Sequence, residues 1–388
     1  MAADGAYDLN WITSVDDHII EPPNVWQARV PAKYKDVAPR VIVDDKGTEV
    51  WAYEDIRQMT GGLGASAGRR PEEITALGFP YTEMRPGCYD PKARLLDMNE
   101  SGILATLNFP SFPRFCGQTF LEAKDKELAL ICVKAYNDWM IDEWCATDPG
   151  RYIPLGIIPL WDTGLAVEEI ERIHAKGVNS ICFCENFQPL KLPTIHTGHW
   201  DSVLAACNEM KIVLSIHIGS SSTFHRISDD SPFMANFSLG MIRPAGCLMD
   251  WIFSGLFQRF PNIKIAFSEG GISWVPMLID RIEYVLDHSA VGSEGWSDRD
   301  VSPIDALRRN FWFCTIDIGS TFALRDHIGI DHICIESDYP HADSTWPDTQ
   351  PRATEAFTGV SDDVVRKVTW ENAAELFRHP VPAELEIP

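Results

Sequence analysis

A TIM-type (β/α)8 barrel is the fold class this sequence predicts, and three observations predict it. Eight short β-branched or apolar runs recur along the chain, helical periodicity fills the gaps between them, and several runs end in histidine or carboxylate side chains. A parallel barrel produces that order, because each strand is followed by a crossover helix and the strand C-termini face one rim.

The eight runs are Ile12–His18, Ile103–Phe109, Tyr152–Ile158, Val178–Cys184, Ile212–Ile218, Ile263–Ser268, Phe311–Ile316 and His332–Ser337. Helical patterns cover Glu122–Thr147, Leu165–Lys176, Trp200–Met210 and Met249–Phe260, each closing near Gly, Pro or Asn. Residues 19–100 break the alternation. That stretch is rich in Pro, Gly and charge, and its Trp26, Trp51, Tyr53 and Tyr81 predict a packed, lid-like excursion at the barrel mouth, within a single domain spanning 1–388. No repeat of about 20 to 50 residues and no low-complexity tract divides the chain.

Composition narrows the function classes. The 388 residues are 45% hydrophobic and 23% charged, a globular balance with length for a large core. A formal charge of −23 argues against nucleic acid and against an anionic membrane surface, both of which are bound through Lys and Arg. There is no apolar run of about 18 residues, and the opening MAADGAYDLN lacks the features of a signal peptide, so a cytoplasmic enzyme is expected. Ten cysteines, among them Cys182, Cys184 and Cys334 inside apolar runs, are expected to be buried reduced thiols. Trp139, Trp144, Trp251 and Trp274 on helices leave a subunit contact, and with it a homodimer, open.

Chemistry is concentrated where the runs end. The first ends in Asp16-Asp17-His18-Ile19-Ile20-Glu21, the fifth in Ser215-Ile216-His217, the sixth in Ser268-Glu269-Gly270-Gly271 and the eighth in Glu336-Ser337-Asp338-Tyr339-Pro340-His341. Clustered carboxylates repel one another unless they share a cation or a proton. His18, Glu21, His217, Glu269, Asp338 and His341 are therefore the candidate metal ligands, and Glu269 and Asp338 the candidate catalytic groups. Strand alternation puts Asp16 on the face of His18, as a weak or orienting group, and turns Asp17 away into a structural role. Glu336 shares the face of Asp338, as an acceptor behind the ligands or a buried, paired acid. Arg85 and Arg114 are rim cations available to a substrate carboxylate or phosphate, and His225 lies on the loop after the fifth run.

On these motifs the chain resembles the amidohydrolase superfamily, and within it the branch of aminocarboxymuconate-semialdehyde and resorcylate-type decarboxylases. The likeness runs from Val15 to Phe377 through Asp16-x-His18, His217, the Ser268–Gly271 turn, the S-D-Y-P run at Ser337–Pro340 and a closing E-N-A-A-E-L-F. It implies the barrel fold and a small-molecule substrate. Two departures stand out: Ile20 takes the second place of the usual H-x-H, with Glu21 following, and Glu269 replaces the histidine of the usual S-H-G-G turn. Both exchange imidazole for carboxylate, which suits iron or manganese better than zinc.

The resulting pattern is similar to the amidohydrolase-fold non-heme di-iron monooxygenases of platensimycin-type diterpenoid biosynthesis. That resemblance implies two iron ions, dioxygen, and hydroxylation of a bulky hydrophobic, acyl-CoA-linked substrate; a bridging role for Glu269 is inferred from the carboxylate-rich donor set. It also implies an external electron donor, since no G-x-G-x-x-G follows a strand. The alternative is a mononuclear hydrolase or decarboxylase with one zinc or manganese, acting on a carboxylate, amide or ester. There Asp338 activates water or protonates a substrate carbon, and Glu269 takes the part of the missing histidine. An inert barrel kept as a binding module is the third reading.

Overall fold

The computed structural model describes residues 12–380, apart from 225, 289–295, 297–300 and 317–318; His225 thus lies outside the described residues. Eight parallel strands form one sheet: β1 (Ile12–His18), β2 (Ile103–Phe109), β3 (Tyr152–Ile153), β4 (Ser180–Phe183), β5 (Val213–His217), β6 (Lys264–Ser268), β7 (Phe311–Thr315) and β8 (Ile333–Ile335). The strand order β3-β2-β1-β8-β7-β6-β5-β4 is cyclic in sequence. A parallel bridge between Gly156 and Ile181 joins the two ends and closes the barrel, with Gly156 N–H on Ser180 O at 3.0 Å and Cys182 N–H on Gly156 O at 2.8 Å.

Each strand falls inside a run the sequence marks. The largest difference is β3, where Pro154 and Pro159 lack the N–H a ladder needs, so regular pairing stops at Ile153 and resumes only as the Gly156 bridge. A Cβ at Gly156 would lie 2.4 Å from Ile173 Cδ1 on the covering helix Thr163–His174, so a larger residue there would force that side chain to shift. The helix expected to begin at Met249 spans Ile242–Ile252 instead. Pro244 sits in its first turn, where no amide hydrogen is required, so it does not break the helix.

Helices cover the outside of the barrel, and the strands are buried on both faces, as a closed parallel sheet requires. Residues Trp139, Trp144, Trp251 and Trp274 are buried within the chain, so the surface argument that left a homodimer open does not hold for them. All ten cysteines are buried and unpaired. Among the described residues no helix is long and apolar enough to cross a membrane.

The stretch after β1 carries its own three-stranded antiparallel sheet, Arg40–Val43, Glu49–Tyr53 and Ile56–Met59. Trp51 from its central strand meets Trp26 edge-on at 5.2 Å and Phe112, on the loop after β2, at 4.9 Å. Such aromatic contacts fasten the sheet to the barrel rim.

Candidate metal centre

Strand register brings the ends of β1, β2, β5 and β6 level: His18 pairs with Phe109, and His217 with Ser268. At that level the side chains of Asp16, His18 and His217 each offer one donor atom within 4.8 Å of the others, and His18, Asp338 and His341 form an adjoining group. The Nε2 atoms of His18 and His217 are 3.1 Å apart. Asp16 reaches His18 Nε2 at 3.6 Å and His217 Nε2 at 3.5 Å, Asp338 lies 3.3 Å from His18 Nε2, and Glu269 lies 3.3 Å from His217 Nε2. Residue Asp338 also approaches His341 Nδ1 at 2.9 Å.

Asp16, His18, His217 and Asp338 are all at most 1% exposed. Neither carboxylate oxygen of Asp16 or of Asp338 makes a hydrogen bond of good geometry. Buried carboxylates without donors are costly unless a cation compensates them. Electrostatics say the same: burial, then the neighbouring Glu336, Asp338 and Glu269, push Asp16 well above the usual carboxylate range. Burial pushes Asp338 up too, but the charge of His341 and the pull of His18 outweigh it and hold this carboxyl below its ordinary range.

The histidines are prepared as ligands. Burial and the neighbouring His341 lower His18 to about 4, and burial with His18 lowers His217 well below its ordinary value, so both imidazoles are neutral near pH 7. The Nδ1–H of His217 donates to the carbonyl of Ile218, which leaves the Nε2 lone pair facing the cluster. Phe115 stacks on the His217 ring at 4.0 Å, and His341 stacks on His18 at 3.8 Å.

The carboxylates differ in role. Asp17, on the opposite face of β1, accepts from Ser14 at 2.9 Å, Ser337 Oγ at 2.6 Å, the Tyr339 N–H at 3.1 Å and Thr106 Oγ1, so it ties β1, β2 and the turn after β8 together. Glu336 accepts the Glu269 N–H at 3.0 Å and the Cys314 thiol, which resolves it as an acceptor behind the cluster. That bond anchors Glu269 in a left-handed backbone conformation, φ 52°, while Asp338 is held at φ 58°. Non-glycine residues kept there are strained, as is common at functional sites.

Of the sequence-predicted ligands the structure brings together His18, His217, Glu269, Asp338 and His341. It does not bring Glu21 to them. The strand ends at His18, alternation ceases, and the Glu21 oxygens accept the Ser111 and Phe112 N–H groups at 2.9 Å each. The acid-x-His pair is Asp16 with His18, one step earlier than a reading in which Ile20 fills the second position. Arg85 pairs with Asp97 at 2.8 Å and with Glu100 at 3.2 Å, and Arg114 with Glu122 and with Ser222 at 3.1 Å, so both are committed to the protein. Two supporting residues escaped sequence reasoning. Glu185, just past β4, accepts Gly219 N–H at 3.0 Å, Ser221 Oγ at 2.8 Å and Arg243, holding the loop after His217. Arg94 is buried, donates to the His18 carbonyl at 2.5 Å and to Gly87 O at 2.7 Å, and lies 4.2 Å from the Tyr339 ring centre. Only their oxygen and ring partners, far away in sequence, reveal them.

A (β/α)8 barrel with a His and carboxylate cluster at its strand ends defines the class, and the amidohydrolase family model matches residues 24–379, so the chain belongs to that family. A 2-amino-3-carboxymuconate-6-semialdehyde decarboxylase of Dictyostelium discoideum is 28% identical over 210 residues, 53% of this chain and 54% of its own. The chain thus spans about half the length of that relative. An amidohydrolase structure from Mycobacterium avium subsp. paratuberculosis K-10 has a TM-score of 0.73 at 21% identity, over 94% of this chain and 98% of that one. A dihydroxybenzoic acid decarboxylase from Polaromonas sp. JS666, with bound manganese and the inhibitor 2-nitroresorcinol, has a TM-score of 0.62 at 16% identity, over 95% and 96%. The likeness to both structures is one of fold. These findings overturn the expectation of a di-iron monooxygenase: the curated relative is a decarboxylase. The paired irons with a bridging Glu269, the dioxygen, the external electron donor and the acyl-CoA substrate belonged to that expectation and go with it.

Proposed function

We propose that this protein is a decarboxylase of a small aromatic carboxylate, dependent on one divalent ion of the manganese or zinc type. The observation that carries the reading is the set of four buried donors, Asp16, His18, His217 and Asp338, whose carboxylate oxygens make no hydrogen bond of good geometry. Two nitrogens and two carboxylates fit one such ion. When bound, the ion supplies a Lewis-acidic charge that fixes and polarises substrate oxygens.

The remaining chemistry belongs to the chain. A cavity of about 180 Å³ opens beside the cluster, between the lid sheet and the rim, lined by Trp51, Phe112, Phe115 and His341 among others. An engineered apolar cavity of about 150 Å³ holds benzene, so this one takes a substituted ring. Loss of CO2 breaks the ring-to-carboxyl bond, leaves its electron pair on the ring carbon, and requires one proton there. Glu269 and His341 can both hold a proton: burial and Asp338 raise Glu269 well above its ordinary value, and Asp338 outweighs burial to raise His341. His341 is the one on the cavity wall, so it is assigned as the proton donor. Glu269 remains the carboxyl partner of His217. The lid sheet, with Trp51 and Met59 on the cavity wall, keeps water from the carbanionic carbon.

The test is reconstitution with manganese, elemental analysis, and CO2 release from a panel of hydroxybenzoates. One ion per chain with stoichiometric CO2 is expected. Failure to retain an ion, or retention without CO2 release from any member, overturns the reading.

A further inference from the structure

The same cavity has a second property: among the described residues no lysine or arginine lines it. Its flat walls are the rings of Trp51, Phe112 and Phe115 with Ile20, and its polar lining is mostly spent. Thr60 Oγ1 donates to Phe79 O at 2.9 Å, Ser111 Oγ to Ile19 O at 2.6 Å, and both Glu21 oxygens accept backbone N–H groups. Gln58 is the most adaptable, with one long bond of 3.4 Å to Ser111 O. Of the nearby arginines, Arg114 pairs with Glu122 and Arg243 with Glu185, while Arg94, which donates Nε and Nη2 to two carbonyls, is buried and is not on the cavity wall. Of the acids around the site only Glu21 is on the cavity wall, and its two oxygens already accept the Ser111 and Phe112 N–H groups.

We propose that this cavity selects a flat aromatic monocarboxylate whose other ring substituents are uncharged, and that it rejects ring dicarboxylates. The inference rests on the reading of the site as a carboxylate pocket. A reacting carboxylate has His341, stacked on His18 of the metal group, at the cavity wall. A second one on the same ring meets aromatic walls, with no lysine or arginine among the described lining residues to replace its lost hydration and with His341 already facing Asp338 at 2.9 Å. Neutral hydroxyl, amide or nitro groups carry no such cost and have Gln58 as a hydrogen-bonding partner.

The test uses the manganese-loaded protein and two probes of matched shape, 2-hydroxy-3-nitrobenzoate and 2-hydroxybenzene-1,3-dicarboxylate, measured by titration calorimetry. Planar nitro and carboxylate groups differ by one charge. The nitro probe is expected to bind at least about tenfold more tightly. Gln58→Lys, or Met59→Lys at an exposed position on the same wall, is expected to bring the two affinities within about twofold by supplying the missing cation. Equal or reversed preference in the parent protein, or an unchanged preference in whichever lysine variant folds, overturns the proposal. CO2 release is scored separately. The predicted preference without CO2 release overturns the reaction and leaves the selectivity standing, whereas faster turnover of a dicarboxylate overturns the selectivity and leaves the reaction. Binding of neither probe overturns both.

Discussion

Asp16→Asn separates a metal ligand from a structural carboxylate. Asp16 is fully buried, its oxygens make no hydrogen bond of good geometry, and burial with four other acids raises its pKa. Without metal, the folded state therefore favours the protonated form more than the unfolded chain does. By linkage the wild-type apoprotein loses stability from this group as pH rises from the unfolded carboxylate value through the raised folded value. Asparagine removes that loss. The apo variant should be at least as stable as the wild-type apoprotein, with the larger margin at higher pH. With metal the order reverses. An ion present at 100 times its Kd stabilises the wild type by about 2.7 kcal/mol. For 388 residues, at about 2.1 cal/mol/K of unfolding entropy per residue, that is roughly a 3 °C rise in Tm. If the substitution weakens the ion about 100-fold, the same metal concentration contributes about 0.4 kcal/mol, or roughly 0.5 °C. Differential scanning calorimetry with and without manganese, at two pH values, reads both effects, and elemental analysis counts the ion. An apo variant several degrees less stable than wild type, or an undiminished response to manganese, would refute the assignment of Asp16 as a ligand.

Other substitutions follow from the same geometry. His341→Asn should lower kcat by about 10²- to 10⁴-fold while keeping metal content; parallel loss of metal would make His341 a ligand instead of the proton donor. Glu21→Gln turns an NH2 toward one of the two backbone amides the carboxylate accepts, and should cost about 1–3 kcal/mol of stability in chemical denaturation without changing metal content. Loss of the ion in that variant would return Glu21 to the ligand set. Burial raises Glu21 to about 7, so its contribution to stability declines as pH rises from the unfolded glutamate value through about 7, a slope the glutamine variant should lack. Glu185→Ala leaves Arg243 unpaired at 14% side-chain exposure and frees the loop after His217. A cost of about 3–5 kcal/mol is expected from breaking such a pair, and an unchanged Tm would show that the clamp carries no stability.

How much was legible in the sequence depended on whether local pattern or distant contact decided the matter. Ile12–His18 and Ile103–Phe109 were bounded correctly because their residues are buried on both strand faces and their ends are marked by turn residues. Asp16 and Asp17 were separated by alternation alone, and the structure puts them on those opposite faces. Glu21 was misplaced because alternation has no meaning past His18, where the chain leaves the sheet. The metal and reaction were misread for a related reason. Four carboxylates in a list look alike, whereas in space the oxygens of Asp16 and Asp338, without a hydrogen bond of good geometry, differ from those of Glu21 and Glu336, already met by N–H or S–H donors.

By itself the sequence determined the alternation of eight strands with helices, the rim on which chemistry gathers, and the identity of the two histidines. Strand period, helix period and strand-end position are local properties, written within a few residues of where they act. Only the tertiary structure decided that Asp16 stands with those histidines and Glu21 does not, and that Glu185 and Arg94 support the strand ends. It alone shows that, among the described residues, no lysine or arginine lines the cavity. Each of these depends on donors and acceptors brought together from residues dozens to hundreds apart, and a buried charge acquires its meaning from what lies within hydrogen-bond reach.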